Sequence, residues 1–256
     1  MNLSYGTATQ QSSVRRMNLD RTFAYMEEER GLFMIAEAIG SVDAGSTALD
    51  SAIESISNAL LPGLREPHNA GVLLNTLLAA YQQANERIIQ ANPDSGVSAT
   101  TILINGQTVF IGHVGSTRAY AIAPDTIDCL TGDHTVEEQA VEFGYEQIGD
   151  PYEPMLYRII GQLDEAADTL IHPLAPGTAI LLVTDGVYRA GAQVINMGAG
   201  SKLVFPLNDD EILRVIHESA NPQDVCERLV AEAHRRSNRD SATAVFISNG
   251  FSFVVE

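Results

Sequence analysis

Residues 180–186, ILLVTDG, decide how the rest of the chain is read. The apolar run, β-branched at Ile180 and Val183, has the pattern of a strand buried on both faces, and Asp185 and Gly186 read as the turn that ends it. An aspartate is thereby fixed at the rim of a core strand. A bare buried carboxylate is costly, so such a residue caps a turn, pairs with a cation or holds a metal. Taken alone, the turn cap is the better reading. The metal reading gains if other segments bring carboxylates to the same place, and three are candidates: Asp20 closing MNLD, Glu37 within MIAEA and Asp240 within SNRDSATAVFI.

Outward from that strand, alternation predicts strands at 3–9 and 21–25, an acidic hairpin at MEEERG and a third strand at 32–36. Leu49, Ile53, Ile56 and Leu60 then recur at helical spacing until Pro62 and Gly63 stop the helix. Leu74, Leu77, Tyr81, Ala84 and Ile88 mark a second helix ending at Asn92 and Pro93. A meander follows, with strands at 99–104, 108–114, 118–122 and 126–130, the first pair joined by an Asn105 and Gly106 turn. Residues 135–143 read as a short helix, 144–157 as a mobile surface excursion and 190–200 as a loop rich in glycine and alanine. Two more helices at 209–219 and 222–237 lead to closing strands at 242–247 and 251–255. About ten strands joined mostly by hairpins, with helices in sequential pairs, make an α+β fold. With no composition shift and no internal repeat, residues 1–256 are expected to form one domain.

With 45% hydrophobic and 19% charged residues the chain buries a real core, so it is not disordered. No apolar run is long enough for a membrane span and the N-terminus lacks the basic start of a secretory signal, which predicts a cytoplasmic protein with no membrane partner. A formal charge of -18 repels phosphate backbones, so nucleic acid is excluded as a partner. Cys129 and Cys226 lie far apart without metal spacing and read as packing residues.

The order of motifs resembles the metal-dependent serine/threonine protein phosphatases of type 2C, the PPM family. The resemblance rests on Arg15 five residues before Asp20, LFMIAEAIG, SATTILI, HVGSTRAY, LTGDHT, LLVTDG and SNRDSATAVFI, in that order along nearly the whole chain. It implies a four-layer α-β-β-α sandwich, two antiparallel sheets packed face to face with a helix pair outside each. It also implies hydrolysis of phosphoserine and phosphothreonine in proteins by a water activated between two Mg2+ or Mn2+ ions, chemistry that suits oxygen ligands. Carried over motif by motif, Arg15 is the phosphate clamp, Asp185 and Asp240 hold one ion and Asp20 the other. Glu37 stands where an aspartate bridges both, and Ala38 offers its backbone carbonyl. The implied partner is a phosphoprotein, a kinase or its target, met by a monomer.

Several residues depart from the family pattern. Glu37 adds a methylene to the bridging carboxylate, Leu19 cannot bind a metal-held water, and Ser116 replaces an aspartate associated with a third ion, which makes that ion doubtful. Ser241 and Ser41 are milder changes. Together they predict reduced activity; the alternative is a catalytically weak or inactive phosphatase-like module that binds or regulates. Read without the family, Asp20 is a turn aspartate, Arg15 a surface cation, Asp240 a cap or a partner of Arg239, Arg118 half of a structural ion pair, and His134 a loop residue bordering the site.

Overall fold

The computed structural model describes residues 1–64, 69–91, 94–142, 154–162, 165–196, 201–204, 207–237 and 239–253. The chain begins with β1 (Leu3–Gln10), β2 (Asp20–Glu27), β3 (Arg30–Ile39), α1 (Val42–Leu64) and α2 (Ala70–Ala91). It continues through β4 (Gly96–Asn105), β5 (Thr108–Val114), β6 (Arg118–Ala123), β7 (Thr126–Cys129) and α3 (Val136–Glu142). Then come β8 (Asp168–Pro173), β9 (Thr178–Val183), the single turn α4 (Asp185–Tyr188), β10 (Gln193–Asn196) and β11 (Ser201–Val204). Helices α5 (Asp209–His217) and α6 (Pro222–Arg236) precede the last strand, β12 (Ala242–Asn249).

The strands form two five-stranded antiparallel sheets, ordered β1-β12-β9-β6-β7 and β2-β3-β4-β5-β8, with β10 and β11 paired apart. Because side chains alternate along a strand, each central strand feeds two layers of core. In β3, Leu32, Met34, Ala36 and Ala38 join the stripe of α1 and α2, including Leu49, Ile56, Leu77 and Tyr81. The intervening Phe33 and Ile35 point the other way and meet Ile180 and Leu182 of β9 and Val245 and Ile247 of β12 between the sheets. Leu181, Val183 and Phe246 in turn face α5 and α6, where Ile212, Ile216, Val225 and Leu229 are buried. This is the expected α-β-β-α sandwich. The meander crosses from one sheet to the other between β5 and β6, at Gly115, whose φ of +105° and close approach to Ser98 leave no room for a Cβ.

Local chemistry explains several element ends. Asn208 and Asn221 cap α5 and α6 by accepting from the N–H of Glu211 and Asp224, and Pro222 occupies the first turn of α6. Gly106, at φ +57°, makes the β4–β5 hairpin.

Five expectations need correction. Helix α1 passes through Pro62 and ends at Leu64, although the proline forfeits the bond to the carbonyl four residues back; the helix ends within one turn of it, and the Arg30 guanidinium satisfies the Leu64 carbonyl at 2.7 Å. Asp185 and Gly186 open a helical turn, with Thr184 as its N-cap, rather than a simple reversal. The glycine- and alanine-rich stretch includes strand β10, paired with β11. Residues 251–253 are not a strand: after Gly250 (φ +68°) the chain turns back, Phe251 meeting the Phe246 ring edge-to-face and Phe253 at a tilt. Cys226 is buried as a packing residue, but Cys129 is exposed on β7. Strand β8 went unrecognised because it lies at a sheet edge with Leu170 and Ile171 exposed, so it lacks a clean alternation. Most of the 144–157 excursion lies outside the described residues, as do 254 and 255 of the expected closing strand.

Candidate active site

The layer between the sheets is apolar through its middle and turns polar at one end. The face of β3 that carries Phe33 and Ile35 continues two residues on to Glu37, and the face of β2 that carries Ala24 and Met26 begins at Asp20. Asp20 and Glu37 are paired across the β2–β3 ladder. From the opposite sheet the same alternation brings Thr243 at the start of β12 and Thr184 just past β9. Their hydroxyls donate to Asp20 Oδ2 at 2.7 and 2.9 Å respectively, so one carboxylate joins the two sheets.

Around this pair the chain gathers the remaining charged groups. A cleft of about 150 Å³, room for several waters, is lined by Arg15, Leu19, Asp20, Glu37, Ala38, Ser116, Asp185 and Asp240 together with Pro154 and Leu156. Asp185 is set at the rim because α4 starts where β9 ends, and Gly186 lets that turn lie against the Ser241 carbonyl, where a Cβ would overlap. Asp240 precedes β12 and accepts from Arg15 Nη2 at 2.5 Å, at the half-exposed mouth. The Glu37 carboxyl accepts from Ser116 Oγ at 2.5 Å.

Burial dominates the electrostatics. It pushes the Asp20 carboxyl up to about 7; the Thr243 and Thr184 hydroxyls oppose this, while Asp185 and Asp240 add to it. Glu37 lies well above the usual carboxylate range, first through burial and then through the negative charges of Asp185 and Asp20. Neighbouring carboxyls that resist ionising together are groups for which a cation is the natural complement.

Sequence comparison places the chain. The family profile described as Protein phosphatase 2C matches residues 8–140, which is more than half of its length and includes Arg15, Asp20, Glu37 and Ser116. This chain belongs to the protein phosphatase 2C family. It is 27% identical over 184 residues to probable protein phosphatase 2C 41 of Oryza sativa subsp. japonica, covering 67% of this chain and 62% of that protein. Against serine/threonine protein phosphatase PstP of Mycobacterium tuberculosis the identity is 23% over 253 residues, 95% of this chain but 44% of PstP. The chain therefore spans about half the length of these relatives, although it matches 93% of serine/threonine phosphatase stp of Listeria innocua at 24% identity. The catalytic domain of PstP, solved in complex with two manganese ions, superposes with a TM-score of 0.77 at 22% identity over 96% of this chain and 97% of that one, which establishes the shared fold.

Within this 2C fold the cleft can be tested against the pair of divalent ions that the family implies. The donors are carboxylates, hydroxyls and backbone carbonyls, the set that suits Mg2+ or Mn2+, with neither cysteine nor histidine in the lining. Among the described residues no three His, Cys, Asp or Glu side chains stand close enough to enclose one ion. Ions that keep several waters and take one or two carboxylates each need no such enclosure. The residues fit the group.

Other residues singled out in the sequence fall nearby. Arg118 pairs with Asp133 through two 2.9 Å bonds, a structural ion pair as expected. His134 sits behind the turn at 115–117, accepting from the Gly115 N–H at 3.0 Å and facing Asp168, outside the cleft lining. Leu19 lines the cleft and packs with the α1 and α2 core. Sequence reasoning missed Thr184, Thr243, Ser98 and Tyr188. The first two were findable as small polar residues that break an apolar face at strand ends. No helix among the described residues is long and apolar enough to cross a membrane.

Proposed function

We propose that the chain hydrolyses phosphoserine and phosphothreonine esters in proteins. The observation that carries this reading is the convergence of Asp20, Glu37, Asp185 and Asp240, from four separate segments, on one cleft with the Arg15 guanidinium at its mouth. Asp185 and Asp240 would hold one Mg2+ or Mn2+, Asp20 the other, with Glu37 between them and the Ala38 carbonyl as a further donor. Such ions, when bound, supply a water acidic enough to act as nucleophile and offset charge on the phosphoryl oxygens.

The protein's own groups prepare the rest. Thr184 and Thr243 fix the Asp20 carboxylate, and Ser116 fixes that of Glu37. Arg15, with 40% of its side chain exposed, presents the planar fork that recognises a phosphate ester. Leu19, Pro154 and Leu156 form an apolar wall that limits bulk water around the ester. We place turnover below that of a site with aspartate at position 37, because the extra methylene of Glu37 displaces the carboxylate and with it the reacting geometry.

Hydrolysis of a phosphothreonine peptide by the purified chain tests the reading. Release of phosphate that needs Mn2+ or Mg2+, stops with chelator and falls at least about 100-fold in Asp185→Asn supports it; no release under any divalent ion overturns it. The competing reading, a phosphatase-like binding module, draws on Leu19, Glu37 and Ser116, the departures from the family pattern that line the cleft. Calorimetry separates the two, since a module without turnover has no need to bind a pair of Mn2+ ions.

A further inference from the structure

Ser116 is gripped on every side. Its N–H donates to Ser98 Oγ at 2.9 Å, and the same oxygen accepts from the Thr117 N–H at 3.1 Å. Its carbonyl lies 2.9 Å from the hydroxyl of Tyr188, which is also 3.0 Å from Asp133 Oδ2, so one phenolic proton serves two acceptors. Tyr188 is itself enclosed: it is fully buried with the Arg118 guanidinium stacked 3.8 Å from its ring centre, and that guanidinium is paired with Asp133. What this framework holds in place is the Ser116 hydroxyl, 1% exposed as a residue and 2.5 Å from Glu37 Oε1.

The geometry points to Ser116 as a positioning residue for Glu37, with Tyr188 as the strut that holds Ser116 against the turn carrying Asp185. Glutamate has three side-chain torsions, so without a fixed donor its carboxylate has several orientations in the cleft. A hydroxyl anchored at both its backbone N–H and its carbonyl selects one of them, inside the cleft that Asp185 also lines. Tyr188 ends the same helical turn that Asp185 begins, so a single strut ties the position of one acidic residue to the orientation of another. The inference rests on the proposed function, since it concerns the divalent ions that Glu37 would help to hold.

The test measures Mn2+ binding by calorimetry and, separately, kcat and KM for a phosphothreonine peptide, in the wild-type chain, Ser116→Ala, Ser116→Thr and Tyr188→Phe. Residues that orient a metal ligand from outside its shell change metal affinity by about 10- to 100-fold when removed. Ser116→Ala is expected to weaken Mn2+ binding within that range and to lower kcat more than it raises KM. Ser116→Thr, which keeps a hydroxyl on the same Cβ, is expected to bind near wild type, and Tyr188→Phe to fall between. Unchanged Mn2+ affinity in Ser116→Ala overturns the positioning role and leaves the proposed function standing. Equal loss in the Ala and Thr variants, in step with a lower melting temperature without metal, shows a packing role only and also overturns it. A wild-type chain that binds no Mn2+ overturns both readings together.

Discussion

Asp20 and Glu37 stand directly opposite one another across the β2–β3 ladder, both buried. Like charges in that position destabilise a sheet, here where few waters are at hand to screen them. A divalent ion held by the pair would turn this liability into cohesion. Millimolar Mn2+ at about 100 times its dissociation constant is expected to add about 2.7 kcal/mol. For a chain of this size that is a rise in melting temperature of about 5–10 °C, reversed by chelator. Asp20→Asn is expected to melt higher than wild type without metal and to gain less from it, which scanning fluorimetry checks.

Arg15 has a different part. Its ion pair with Asp240 is substantially exposed on both sides, so it contributes no more than about 1 kcal/mol to stability. Arg15→Ala is therefore expected to melt within a few degrees of wild type while raising KM for a phosphopeptide about 10-fold or more. Arg15→Lys is expected to recover little, because an ammonium cannot make the two parallel bonds of a guanidinium. Steady-state kinetics on the three proteins decides this.

His113 gives the fold a pH dependence away from the cleft. Nε2 faces the Gly132 carbonyl at 2.9 Å, which can only accept, so that nitrogen carries the proton and Nδ1 faces Thr100 Oγ1 at 2.9 Å. Burial pulls its pKa down to about 4; His134 adds to this, and Asp133 and Asp168 oppose it. The unfolded chain takes up a proton near pH 6.5 and the folded chain only near 4, so stability from this residue is complete above 6.5 and is lost progressively as pH falls toward 4. The full effect is about 3 kcal/mol. Denaturant titrations of wild type and His113→Gln between pH 4.5 and 7.5 are expected to show the shallower slope in the variant.

Gly186 is where a single Cβ would do the most harm to the cleft. Any side chain there overlaps the Ser241 carbonyl, and that contact is between backbones that carry Asp185 and Asp240. Gly186→Ala is expected to cost at least about 1–3 kcal/mol, as for other overpacked core positions, and to cut hydrolysis beyond what its stability loss explains. Thermal melts paired with activity at low temperature separate the two effects.

The sequence carried much of this. Residues 180–183 announced a doubly buried strand because β9 has helices on one side and a sheet on the other. The helix stripes were equally plain. Asp20, Glu37 and Asp240 could be picked out together as candidates, but their roles were legible only through the family's order of motifs, since none differs locally from a turn aspartate or a surface acid. Thr184 and Thr243 escaped because their importance depends on which face of a strand meets the other sheet, and that is fixed by packing between segments distant in the chain. Strand β8 escaped because an edge strand need not alternate. In the sequence Ser116 stands out only as the residue that makes a third ion doubtful; its contact with Glu37 depends on the turn after β5 folding back over β3.

The hydroxyls of Thr184 and Thr243 reach Asp20 from the facing sheet, so at the cleft end the two halves of the sandwich are riveted across a layer that is greasy through its middle. Sliding one half past the other by the width of an atom would therefore be felt first at the rivet. A perturbation on the outer surface of either helix pair has a mechanical route to the cleft that involves no loop at all.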